Sequence, residues 1–183
     1  MKTDKKTADK SAIIPVRISI TSQIRDLTPD DDDDMSVSFG FDDGGYDVDI
    51  EVETIEYKTD GVLSDAGETV SLTYDESEEM GFEQSSTTLS FSRSMPGTVT
   101  MVRTGSGATA CRFSEAERRQ HCIYNTDFMP IELIINTLAV ENEYKNSSGR
   151  IALDYTVELR GLTTERNRLQ IDYRPVAGST TEL

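Results

Sequence analysis

The sequence predicts an all-β protein, an antiparallel up-and-down barrel of about eight to ten strands with at most one short helix. Three observations carry this prediction. Apolar and polar residues alternate along most of the chain, turn signals separate the alternating runs, and helical spacing is nearly absent. At 183 residues the chain is long enough for one core and needs no disulfide or metal staple.

The first run sets Ile14, Val16, Ile18, Ile20 and Ile24 against Pro15, Arg17, Ser19, Thr21, Gln23 and Arg25. A period of two makes a strand with one apolar face. Val48, Ile50 and Val52 repeat the pattern against Asp47, Asp49, Glu51 and Glu53, which assigns those four acids to the solvent side. Val70, Leu72 and Tyr74 follow, then Leu89 and Phe91, and Val99 and Met101. The last runs are Ile151, Leu153, Tyr155, Val157 and Leu159, and Leu169, Ile171 and Tyr173. Turns are predicted at Asp60-Gly61, Asp65-Ala66-Gly67, Met95-Pro96-Gly97, Gly105-Ser106-Gly107 and Asn146-Ser147-Ser148-Gly149. Such short connections favour antiparallel neighbours. Strands with one apolar face and no helices over them must stack as two sheets or close on themselves. Closure also removes the edge strands that invite aggregation, and no long Greek-key crossover is evident. The one helical signal is Ser114 to Gln120, where Ser114 and Glu117 have capping-box spacing.

A single barrel domain is therefore expected over residues 13–175. Residues 1–12 read as a disordered leader and 176–183 as a flexible tail, while 28–45, with Asp30 to Asp34, read as a mobile acidic insertion between the first two strands.

The net charge of −16 comes from one region. Residues 1–29 hold six basic and three acidic side chains, 30–86 hold one and twenty, and 87–183 hold eleven of each. Phosphates are bound by basic stripes, and a carboxylate-rich surface repels them, so nucleic acid and anionic membrane are set aside as partners. No apolar run approaches the ~20 residues of a membrane helix, and the polar start of the chain lacks an export signal, which predicts a cytoplasmic protein.

The run Tyr74-Asp75-Glu76-Ser77 to Gly81, Thr88, and Val99-Thr100-Met101-Val102-Arg103-Thr104-Gly105 together resemble the signature of the YwiB-like family of uncharacterised bacterial proteins. Tyr124-Asn125-Thr126 to Pro130-Ile131-Glu132-Leu133, and Gly149-Arg150-Ile151-Ala152-Leu153-Asp154-Tyr155, are similar too. The resemblance covers roughly residues 14–174. It implies a calycin-like barrel, related in shape to lipocalins and fatty-acid-binding proteins, and no established activity. The chain has no Trp, so the Gly-x-Trp element of true lipocalins is absent.

Arg103 shares the parity of Val99 and Met101, which places a permanent charge on the apolar side of its strand. A buried guanidinium needs a partner. Three readings are open: an anchor for a ligand carboxylate or phosphate, an ion pair with Glu76, whose parity matches Tyr74, or a rim position reaching water. Tyr74, Tyr124, Tyr155 and Tyr173 are candidates to line the same interior, as ligand contacts or as core.

Other motifs give less. A calcium loop started at Asp30 puts Met35 at the glycine position and Phe41 at the bidentate acid, so the pattern fails. His121 and Cys122, placed just before a strand, are adjacent and point to opposite faces, which argues against a dyad. Cys111 and Cys122 lack Cys-x-x-Cys spacing and read as ordinary thiols. No cofactor or metal site is expected. Enzyme activity stays open, with a non-enzymatic protein favoured, because no nucleophile, base and stabiliser can be named together.

Two functions remain. One is binding of a small anionic or amphipathic ligand in the barrel through Arg103 and the tyrosines. The other is docking of a basic protein on the acidic surface, including the Asp47 to Glu53 stripe. The sequence is compatible with a homodimer through one barrel face and does not demand one.

Overall fold

In the computed structural model of the protein, the structure describes residues 12–27, 52–77, 84–126 and 128–176. Ten strands form there: β1 (Ala12–Asp26), β2 (Val52–Ala66), β3 (Thr69–Asp75), β4 (Ser86–Ser92), β5 (Met95–Thr104), β6 (Ala108–Ser114), β7 (Arg119–Asn125), β8 (Pro130–Lys145), β9 (Ser148–Leu159) and β10 (Leu162–Pro175). Each pairs antiparallel with its neighbours in sequence, and β1 pairs with β10, so the sheet is a closed up-and-down barrel. The leader read at 1–12 lies outside the described residues except Ala12, which already belongs to β1. The insertion at 28–45 and all but Val176 of the tail also lie outside them.

Period-two patterning built this barrel. Val16, Ile18 and Ile20 on β1, Val70, Leu72 and Tyr74 on β3, and Ile151 and Leu153 on β9 all face inward and keep at most 4% exposure. Their polar neighbours pair outside, as in Arg17 with Asp60 and Arg150 with Asp172. Two expected turns are hairpin turns closed by left-handed backbone. Asn146 and Ser147 have φ of 51° and 61°, and Gly105 and Gly107 have φ of 91° and 64°.

Several expectations need correction. Asp60-Gly61 is not a turn, since β2 runs through it without a break. A Cβ on Gly61 would sit 2.5 Å from Ile18 Cδ1 and 2.6 Å from the Thr73 carbonyl oxygen, so this glycine permits close approach of strands. The turn expected at Met95-Pro96-Gly97 falls two residues earlier, at Arg93-Ser94. Ser114 to Gln120 forms no helix. The Glu117 N–H does donate to Ser114 Oγ at 3.4 Å, but contacts to β8 hold the segment as a bend. Ser114 N–H donates to Thr137 Oγ1, Thr137 N–H to the Arg118 carbonyl, and Val140 N–H to Glu115 Oε1. Cys122 and His121 lie within β7 rather than before a strand.

The parity expected for the Val48 to Glu53 run is reversed where it can be seen. Val52 is 40% exposed, while Glu53 shares the parity of the inward Ile55 and Tyr57. The remainder of that run lies outside the described residues.

Candidate functional site

The two ends of the barrel differ. At the end formed by the start of β1 and the close of β10, Val16, Ile18, Leu63, Val70, Val99 and Ile171 are fully buried and fill the interior. At the other end, the inward residues Leu133, Tyr155 and Leu169 remain partly exposed around a cavity of about 1010 Å³ that opens to solvent. Ten strands enclose a wider lumen than eight, which side chains can just fill. Here they fill one end of it and leave the other open.

The wall of the cavity is mostly apolar, with Ile24, Met101, Phe113, Ile135 and Val157 among its residues. One side carries a polar cluster. Arg103 on β5 donates from Nη2 to Glu76 Oε1 at 3.2 Å and from Nε to Thr87 Oγ1 at 3.3 Å. Thr87 donates to the same Glu76 oxygen at 2.6 Å, and Tyr57 donates its hydroxyl to Oε2 at 2.9 Å. The Glu76 side chain is 1% exposed and that of Arg103 11%. A carboxylate this deep survives because three donors satisfy it.

Burial, reinforced by Glu76, pushes the Tyr57 and Tyr74 hydroxyls far above their ordinary range, so both remain donors. Next to them, a hydrogen bond from Cys122 holds the Cys111 thiol down to about 7, with Thr109 and the Arg103 charge adding and burial opposing. Cys122 is pushed the other way by the same bond and by burial.

A family model described as a domain of unknown function (DUF1934) matches residues 44–171, well over half of the chain. The chain belongs to the DUF1934 family. A crystal structure of the ywiB protein from Bacillus subtilis resembles it with a TM-score of 0.64 and 20% identity, covering 90% of this chain and 94% of that one. That likeness concerns the barrel fold. No curated protein matches the sequence. The DUF1934 match omits β1, yet β1 joins β2 to β10 and so completes the ring.

Of the residues expected to line the interior of this DUF1934 barrel, Arg103, Glu76, Tyr74, Tyr124 and Tyr155 are brought together at the cavity. The Tyr155 ring packs 4.8 Å from that of Phe113. Tyr173 is elsewhere. It is buried at the packed end, against Gly149, where its hydroxyl has no hydrogen-bond partner. Of the three readings of Arg103, the ion pair with Glu76 is the one formed. It forms at the cavity wall, so pairing and ligand contact are compatible.

Tyr57 and Thr87 belong to the cluster, and Thr109 lies opposite Arg103 on β6; none of the three is among the expected site residues. Parity with Leu89 signals Thr87, but reading Gly61 as a turn hides Tyr57. His121 faces outward, with Nδ1 2.8 Å from Glu132 Oε1, and meets neither cysteine. Among the described residues no group of three or more metal-ligating side chains converges, and no helix is long and apolar enough to cross a membrane.

Proposed function

We propose that the barrel binds a small amphipathic molecule, with its apolar body against Met101, Phe113, Leu133 and Val157 and its polar end at the Arg103–Glu76 cluster. The observation that carries this reading is a cavity of about 1010 Å³ whose wall is largely apolar, with a buried ion pair set into it and further polar residues, Asp26, Glu53, Glu165 and Asn167 among them. Arg103 already answers Glu76, so the cluster offers donors and acceptors together, not an isolated positive charge. A head group with both a donor and an acceptor suits it better than a bare anion. A cytoplasmic setting, where the resting state of Cys111 and Cys122 is the free thiol, goes with this reading.

The docking reading receives less support. Seventeen of the 34 acidic residues, and only four of the 18 basic ones, lie outside the described residues. The described outer face pairs many of its charges, as in Arg166 with Asp154 and Arg119 with Glu158.

Native mass spectrometry and thermal melting against fatty acids, fatty amines and lysophospholipids test the proposal. A ligand at about a hundred times its Kd should raise Tm by roughly 5–10 °C. Absence of any bound amphiphile across the three classes would sink it.

A further inference from the structure

Cys111 on β6 and Cys122 on β7 both point into the barrel, where they keep 6% and 2% exposure. The β6–β7 ladder is registered at two positions, Ala108 with Asn125 and Thr109 with Tyr124, the fewest of any strand pair in the ring. Carried on by two residues, that register sets Cys111 opposite Cys122, and each thiol is the leading influence on the acidity of the other, the sign of close approach. Opposed residues of antiparallel strands have Cα atoms about 4.5–5.5 Å apart, inside the span of a disulfide. Cys111 belongs to the cavity wall and Cys122 does not.

We infer that Cys111 and Cys122 form a reversible disulfide across the β6–β7 seam when a peroxide enters the cavity, with Cys111 attacking and Cys122 resolving. This goes beyond the ligand-binding reading and stands without it. Access assigns the roles, and the acid–base balance agrees with it. Cys111 is held down near neutrality while Cys122 keeps its proton.

The Cys111 thiolate attacks one peroxide oxygen, the O–O bond breaks, and the second oxygen leaves as an alcohol or water after taking up a proton. Cys111 is then a sulfenic acid. Cys122 sulfur attacks the Cys111 sulfur, the S–O bond breaks, and the hydroxide leaves with the Cys122 proton as water. Two thiols have lost two electrons and the peroxide has gained them. An external dithiol reverses the link by exchange and is itself oxidised. The bond covalently closes the seam with the shortest ladder.

Peptide mapping of the full chain after hydrogen peroxide treatment tests this. Wild-type protein should lose both thiols, yield a linked pair of peptides carrying Cys111 and Cys122 within one molecule, and regain both thiols with dithiothreitol. Cys122→Ser should stop at a Cys111 sulfenic acid that dimedone traps. Cys111→Ser should react at least about tenfold more slowly than wild type. Should either variant fail to fold, the wild-type map decides alone. Both thiols intact at a dose that oxidises free cysteine, links only between molecules, or a Cys111→Ser protein as reactive as wild type would each overturn the inference.

Discussion

Glu76 and Arg103 meet inside the barrel at 3.2 Å, and Thr87 on the intervening strand bonds to both. The pair spans three strands, so each charge depends on the register of β3, β4 and β5 together. Arg103→Met leaves a carboxylate buried without its counter-charge and should cost about 3–5 kcal/mol. Removing both charges, in Glu76→Gln with Arg103→Met, should recover most of that loss. Urea titrations of wild type, Arg103→Met, Glu76→Gln and the double variant check this, and additive losses would refute the coupling.

Tyr57, Tyr74, Tyr155 and Tyr173 are all raised, with burial as the leading cause. Their folded-state values exceed the unfolded value of about 10, so the stability they carry is complete below that pH and is lost above it. Each tyrosine should then remove about 1.4 kcal/mol per pH unit. Tyrosinate absorbance and denaturation followed from about pH 9 to 12 should show these four ionising with unfolding, not before it. Tyr57→Phe should lessen the slope by one proton, and at neutral pH should cost about 1.5–3 kcal/mol for the lost bond to Glu76.

Gly61 and Gly161 should both lose stability to alanine, Gly61 through lack of space and Gly161 through its backbone alone. At Gly61 the new Cβ meets the Thr73 carbonyl oxygen, which is backbone and cannot swing away, so a loss of about 1–3 kcal/mol is expected. At Gly161 nothing lies within 4 Å, and only its φ of +85° opposes the change, at about 1 kcal/mol. Thermal melting of both variants settles the order.

Leu133 is packed against the core and forms part of the cavity wall. Leu133→Trp should fill the lumen and abolish the ligand-induced rise in Tm. Free of ligand, the variant should stay within about 1–3 kcal/mol of wild type, since the added ring enters empty space. Retained binding at wild-type affinity would place the ligand elsewhere.

By itself the sequence determined the antiparallel barrel and the inward parity of Arg103 and Glu76, because a period of two is local and survives in a string of letters. It missed the course of β8, where a bulge between Thr137 and Ala139 moves the inward set from Leu133, Ile135 and Thr137 to Val140. It misread Gly61, whose role is an approach between strands distant in sequence. Only the tertiary structure decided that one end of the barrel is solid and the other hollow, that Tyr173 lies at the solid end, and that both cysteines are buried on the inner faces of neighbouring strands. These depend on how side-chain volumes from ten strands sum around a ring, and no single strand carries that sum.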